Sequence, residues 1–312
     1  MPAQSARPPT RTGMNSSYSL RWLPSGPMAG IACMLSGLVF LILSDASAKW
    51  LLTWYPVAEI ISLRALVVIV LLILWHGKRN SLRIIHWQHH LLRAVFASLS
   101  GFLFVNGLGY LPLADASAAA FAGPLFLTAL AGPLISERVG WRRWSAVIAG
   151  FLGVLVMLRP FSGGIQWAIL LPVSAALCGA LRDLITRRIS QWESPVSILL
   201  STNLLLFVAG LAVAPGSWRL PAAEHVALIV ASGLLLGSAH YLHIQAFRLT
   251  EASALAPFRY TSIIWSVLVG YLIWGQLPDI WIIAGGGGII FSGLYILHRE
   301  RRRKRTRTTV PG

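Results

Sequence analysis

The chain has 312 residues, 56% of them hydrophobic and only 12% charged, with a mean hydropathy of +0.68, whereas soluble domains carry about 25% charged residues. That balance excludes an ordinary soluble protein: apolar runs of the roughly 20 residues needed to cross a bilayer recur from residue 28 almost to residue 298. The formal net charge of +16 invites a nucleic-acid reading, but phosphate binding clusters its Lys and Arg, and here they are spread between the apolar runs, so no nucleic-acid partner is expected.

Residues 1–26, rich in Pro, Ser and Arg, cannot bury a core and are expected to form a disordered cytoplasmic tail. The first span, 28–50, ends in "SDASAKW", in which Ala46-Ser47-Ala48 resembles a signal-peptide cleavage site. The apolar run before it is too long for a signal peptide, and many spans follow, so an uncleaved helix is expected. Asp45 lies deep in this span with Lys49 one turn later on the same face. Two readings stand for it: an intrahelical ion pair with Lys49, or a titratable group facing a pathway. The second span, 57–75, carries Arg64 seven residues after Val57, about 10 Å into the membrane. Either it snorkels outward, or it turns inward and its planar fork meets a carboxylate or phosphate.

His86, His89 and His90 fall in the loop that follows and read as interfacial groups. In the third span, 91–110, Asn106 is a candidate cavity residue or an interhelical hydrogen bonder. The fourth span, 114–135, opens on "ADASA", where Asp115 complements the free N–H groups of a helix start. Spans at 143–159, 165–185 and 196–213 follow. In the eighth, 223–246, His240 and His243 share a face. Without a third ligand they make no metal site, and they read either as proton-handling or substrate-contacting imidazoles or as structural groups at the helix end. In the ninth, 252–274, preceded by Glu251 in "TEASA", Arg259 lies seven residues in, with Ser262 and Ser266 on its face and Tyr260 and Trp265 placed to flank a substrate. The tenth, 280–298, contains Gly285–Gly288, a packing surface, and residues 299–312 form a basic cytoplasmic tail. Cys33 and Cys178 both sit in apolar spans and read as small hydrophobes.

Unpaired backbone groups are excluded from lipid, and the alternation of a membrane barrel is absent from the sequence, so the expected fold is an all-α membrane protein with ten transmembrane helices. With the N-terminus inside, 21 of the 26 Lys and Arg fall in inside segments, which places both termini in the cytoplasm of a cell with this protein in its inner membrane.

Shifting the chain by 136 aligns "GFLFVNGLGYLPLADASAAA" (101–120) with "GSAHYLHIQAFRLTEASALA" (237–256), with six identities and Asp115 on Glu251. A shift of 138 pairs Asp45 with Asp183 and Lys49 with Arg187. A shift of 139 pairs Pro56-Val57 with Pro195-Val196, Ser62 with Ser201 and Arg64 with Asn203. Five helices per copy send the second copy in from the opposite side, a 5+5 inverted-topology repeat over 27–160 and 161–298.

The stretches "YLPLADASAAAFAGPLFLTALAGPLISERVGWRRWSAVIAGFLGVLVMLRP" and "AFRLTEASALAPFRYTSIIWSVLVGYLIWGQLPD" resemble the fourth-to-fifth and ninth-to-tenth helix units of the EamA-type branch of the drug/metabolite transporter superfamily. The resemblance covers about residues 28–298. Glu137 ends its helix before a short basic loop as that family has it, whereas Gln276 stands where the second copy should be acidic. The resemblance implies ten helices, the inverted repeat, and carriage of small organic metabolites, whether amino acids, vitamins, nucleoside-like compounds or metal-chelating metabolites, with export as the expected direction.

No H-E-x-x-H, Walker loop or G-x-S-x-G occurs in the chain, so no enzyme and no ATP-driven pump is expected. The expected function is a secondary carrier of a small polar or zwitterionic metabolite, without cofactor, coupled to protons or an ion gradient, with lipid and a second copy of the chain as its partners. Uptake of a vitamin- or adenosyl-type solute is the alternative, and a structural membrane protein, with Arg64, Arg259 and His240 paired away, is the second alternative.

Overall fold

The computed structural model describes residues 27–76, 87–135, 141–158, 166–189, 193–213, 218–250, 255 and 258–308, and its regular elements are all helical. They are α1 (Pro27–Leu51), α2 (Val57–His76), α3 (Trp87–Tyr110), α4 (Leu113–Ala120), α5 (Gly123–Ile135), α6 (Trp141–Leu158), α7 (Leu170–Ile189, after a 3-10 turn at Trp167–Ile169), α8 (Pro195–Val213), α9 (Ala223–Leu249), α10 (Ser262–Trp274) and α11 (Ile280–Thr308). Seven segments are long and apolar enough to cross a membrane, and the shorter apolar helices Val147–Leu158, Ser262–Trp274 and Ile280–Ser292 stand at the fifth, ninth and tenth expected spans. Boundaries follow local chemistry. Pro27 and Pro195 open α1 and α8, where a missing N–H is harmless. Gly275, at φ 65, closes α10 with its N–H on the Tyr271 carbonyl at 2.8 Å, a left-handed cap that favours glycine.

Several boundaries depart from the sequence reading. The helix of the third span begins at Trp87, so His89 and His90 lie in α3 rather than in a loop, and His90 is buried. The helix of the tenth span continues through the basic segment to Thr308, a run of good helix formers without Gly or Pro. Residues 1–26, His86, Glu137 and Glu251 lie outside the described residues.

The fourth span is two helices. Around Phe121 and Ala122 the N–H groups bond three residues back, to Ala118 and Ala119, both at 3.1 Å, before Pro124, which lacks an N–H. The ninth span turns in the same way at Tyr260 and Thr261, where Thr261 N–H meets the Phe258 carbonyl at 3.1 Å. Phe121 and Tyr260 are related by the shift of 139, and their rings meet at 5.2 Å between centroids.

Helix pairing follows the same exchange. The most extensive contacts are α1 with α9, α6 with α11, α3 with α7, and α2 with α8, and α4 packs on α10. Replacing each helix by its counterpart five spans on leaves the set unchanged, since α1 with α9 becomes α7 with α3 and the other pairs map onto themselves. Close approach at the α6–α11 crossing rests on Gly153 and Gly285: a Cβ on Gly153 would stand 2.6 Å from the Gly285 carbonyl oxygen. Small residues at such crossings let backbones meet in lipid. The glycine run therefore packs within the chain at Gly285 and Gly286, while Gly287 has open space around it.

Large apolar side chains point outward and small ones inward. On α3, Leu91, Leu92, Val95 and Leu99 are exposed, whereas Ala94, Ala97 and Ser98 are buried. The largest core cluster gathers around the alanines of α4, with Leu125, Met157 and Ile169.

Candidate functional site

An ionisable side chain at the bilayer centre costs about 2.5–3.5 kcal/mol on insertion scales, so buried charges in these spans need partners or a cavity. Arg64 of α2 turns inward and is 3% exposed. Its Nη2 donates to Ser44 Oγ at 2.6 Å and to Asp45 Oδ1 at 3.4 Å, both on α1. Ser44 Oγ in turn bonds the Ser232 carbonyl of α9 at 2.7 Å, and Ser232 Oγ donates to the Ser44 carbonyl at 3.1 Å. Asp45 is 7% exposed and the two serines are fully buried. Arg64 Nε has no hydrogen-bond partner among the described residues. This is a dry polar knot that pins three helices.

Lys49 does not pair with Asp45 along the helix, which overturns that reading. Its Nζ donates to the carbonyls of Leu108 at 2.7 Å and Leu111 at 2.5 Å and lies 5.7 Å from the Trp274 ring centroid. The last carbonyls of α3 lack helical partners and attract a cation, while Asp45 already faces Arg64. Asp115 lies in the first turn of α4 as expected, but it makes no side-chain cap at Pro112; it is 3% exposed and within electrostatic reach of Lys49.

A second polar cluster lies toward the other end. Asp183 of α7 accepts from Arg182 Nε at 3.0 Å and Nη2 at 2.9 Å, yet their side chains stay 37% and 30% exposed. Arg187, the expected partner by the repeat, has no described side chain. Arg93, buried on α3, donates from Nε to Thr186 Oγ1 at 2.7 Å, and from Nη1 to Thr202 Oγ1 and to the Ile198 carbonyl at 3.4 Å. Arg259 is exposed and acts electrostatically on both Asp183 and His243. His243 also feels Arg182 and Asp183, and its ring occupies space left by Gly37 of α1, where a Cβ would come within 2.9 Å of Cδ2. His243 Nε2 is buried with no hydrogen-bond partner among the described residues. His240 lies within reach of Arg182, Arg93 and Arg64, which links the two clusters.

The two carboxylates sit at mirrored depths. Asp45 is six residues before the end of α1, and Asp183 six before the end of α7, about 9 Å along each helix. These helices end at opposite ends of the bundle. The ends themselves carry a second matched pair of contacts. Tyr55 Oη meets His225 Nδ1 at 2.8 Å, joining the corner before α2 to the start of α9. His90 meets Glu193 at 3.4 Å and Ser201 Oγ at 2.9 Å, joining the corner before α8 to the start of α3. His90 is thus a buried interhelical group rather than an interfacial one.

Other expected site residues are placed differently. Asn106 donates to Phe102 of its own helix at 3.2 Å. Tyr260 is buried against Phe121, and Trp265 packs on the core around α4. Ser262 and Ser266 bond carbonyls three residues back instead of the Arg259 fork. The sequence reading counted Arg93 and Arg182 only among the inside charges that set orientation, and both lie within helices, beside the polar cluster. The signal that finds Arg93 is the stripe of small and polar residues at 93, 94, 97, 98 and 101 opposite Leu91, Leu92, Val95 and Leu99. Among the described residues no three His, Cys, Asp or Glu are grouped to hold a metal.

Residues 28–159 match the EamA-like transporter family. The chain is 36% identical over 221 residues to a riboflavin transporter of Rhizobium johnstonii, covering 70% of this chain and 72% of that one. It is 30% identical over 291 residues to a riboflavin transporter of Vibrio cholerae, covering 91% and 98%, and 29% identical over 276 residues to an S-adenosylmethionine uptake transporter of Rickettsia prowazekii, covering 88% and 94%. A crystal structure at 18% identity superposes with a TM-score of 0.61 over 87% of this chain and 98% of its own, a likeness of fold. The chain is a multi-pass membrane transporter, not an enzyme, and it belongs to the EamA-like transporter family of the drug/metabolite transporter type.

Proposed function

We propose that the chain is a secondary carrier that takes up a small organic solute of the flavin or adenosyl type by alternating access between two inverted five-helix halves. The observation that carries this reading is the pair of acid–guanidinium clusters at mirrored depths, one dry and one open, linked through His240. A structural protein has no use for an exposed ion pair within a membrane span, whereas a carrier meets its solute there.

Asp45, Arg64, His240, His243 and Arg259 form the polar pathway in this reading, with Tyr260 and Trp265 shaping its wall and Asn106 stiffening α3. The Arg64–Asp45–Ser232 knot closes one end, the end expected to face outside. The other end, with Asp183 and Arg182, receives the solute from the cytoplasm or delivers it there. A proton or ion gradient drives the cycle, with the chain in the inner membrane and both termini cytoplasmic. The riboflavin and S-adenosylmethionine relatives support uptake.

The experiment compares solute pools in cells with and without the gene while labelled riboflavin and S-adenosylmethionine are supplied outside. Uptake predicts that loss of the gene depletes one of these inside; export predicts its accumulation inside; an unchanged pool for every solute followed removes the carrier reading. Reporter fusions at residues 312 and 80 should both report cytoplasm, and a fusion at residue 215 the opposite side.

A further inference from the structure

The charges of the open cluster do not balance. Arg64 and Asp45 neutralise one another in the dry knot. At the open end Arg93, Arg182 and Arg259 all act electrostatically on Asp183, an excess of two positive charges among the described residues of this group. The three arginines are not equivalent. Arg93 is buried, with its fork held by Thr186, Thr202 and the Ile198 carbonyl, and it is a fixed background charge. Arg182 reaches the partly exposed Asp183 through two nitrogens. Arg259 is exposed, with no hydrogen bond or ion pair from its side chain among the described residues, and it acts on the same carboxylate from the stretch between α9 and α10.

We propose that Arg182 and Arg259 form a subsite for an acidic group of the transported solute, a carboxylate or a phosphate, with Asp183 as the internal counter-ion that this group displaces. The proposal rests on the carrier reading above. A guanidinium presents paired donors that match a planar carboxylate or two phosphate oxygens, and Asp183 already shows the geometry that an incoming anion takes over. Excess positive charge raises the local concentration of anions and disfavours cations. The site therefore selects by charge within one size class. An uncharged solute such as riboflavin gains nothing from the two forks, a net cation such as S-adenosylmethionine gains only through its own carboxylate, and a net acid of similar size is favoured. His240 and His243 lie within electrostatic reach of the same arginines.

The test uses the full-length chain in proteoliposomes with a pair of labelled solutes that differ by one acidic group, riboflavin and riboflavin 5′-phosphate, together with labelled S-adenosylmethionine. Unlabelled glutamate and glucose 6-phosphate compete, the first as a carboxylate and the second as a phosphate. The expected result is that an acid is carried, or competes, at concentrations about 10- to 100-fold below its uncharged counterpart, the range a hydrogen bond to a charged group carries. Arg182→Gln and Arg259→Gln should erase that preference, and Arg182→Lys and Arg259→Lys should keep most of it while eluting as folded monodisperse protein. Which competitor acts separates carboxylate from phosphate. Carriage of riboflavin with riboflavin 5′-phosphate, glutamate and glucose 6-phosphate all inert overturns the subsite and leaves the carrier standing. If no solute is carried at all, the carrier reading fails, and calorimetric titration of the solubilised protein with riboflavin 5′-phosphate and glutamate decides the subsite: binding lost in both Gln variants sustains it, and absence of binding ends it.

Discussion

Removing one partner of the Asp45–Arg64 pair isolates the other. The carboxylate and guanidinium are 7% and 3% exposed, so neither can recover hydration, and breaking a buried pair from one side costs about 3–5 kcal/mol. Two features set where each variant falls. Asp45→Asn keeps an acceptor oxygen at the same place, and Ser44 Oγ still takes Nη2 at 2.6 Å, so its loss belongs at the lower end, about 3 kcal/mol. Arg64→Leu leaves a bare carboxylate against apolar walls and belongs at the upper end, about 5 kcal/mol. The double variant Asp45→Asn/Arg64→Leu carries no isolated charge and should sit near the wild type, with a coupling energy of several kcal/mol in the double-mutant cycle. Unfolding of the four proteins in mixed micelles, followed by far-UV circular dichroism, measures it. Additive losses would refute the reasoning, since they would mean that the two side chains do not hold one another. Transport by the same four proteins separates stability from mechanism: if the pair is only a clasp, the double variant regains both, and if Asp45 also takes part in the cycle, it regains stability alone.

Lys49→Met should destabilise by about 2–3 kcal/mol, the value of a charged hydrogen bond, because two carbonyls at the α3–α4 corner lose their donor; a melting curve unchanged from wild type would contradict this. Asp115→Asn should lose about 1–2 kcal/mol rather than be silent, since a partly buried charge at a helix start is worth up to roughly 2 kcal/mol and Asp115 is 3% exposed beside Lys49. Gly285→Val should lower the melting temperature by an overpacking loss of about 1–3 kcal/mol, whereas Gly287→Val, with open space around it, should melt like the wild type. Gly37→Val should displace the His243 ring and reduce transport without changing the amount of protein in the membrane; full activity would remove Gly37 from the site.

Span number and order were legible because crossing a bilayer demands a length of apolar chain that local composition reveals. The break in the fourth span was less visible, since Phe121 and Ala122 are apolar and only Pro124 signals a lost N–H. Partners across helices were the hardest to see. Sequence spacing places Lys49 beside Asp45, and the long Lys side chain instead reaches Leu108 and Leu111, residues 59 and 62 positions away. Arg93 counted only as an inside charge because it is near the end of its span, although the small-residue stripe beside it marks the inward face. Arg64 and Asp45 were both singled out, but their pairing needs the crossing of α1 and α2, which composition does not encode.

The two halves differ in how their charges tie helices together. In the first half the guanidinium comes from α2 and meets a carboxylate on α1, and Ser44 extends the contact to α9, so that separating any of the three helices breaks polar bonds in a dry site. In the second half the position that corresponds to Arg64 is Asn203, whose amide bonds Leu199 of its own helix at 2.8 Å. Asp183 finds its partner in Arg182, its neighbour on α7, and a pair within one helix places no constraint between helices. Arg93 of α3 does cross, to Thr186 on α7 and to Thr202 and a backbone carbonyl on α8, leaving the carboxylate out. One end is therefore clasped through its acidic group, while at the other the acidic group stays available to solvent and solute. On the proposed carrier reading, a cross-helix cation in front of Asp183, as Asn203→Arg would supply, should clasp the second end as Arg64 clasps the first, and transport should fall while the protein still reaches the membrane.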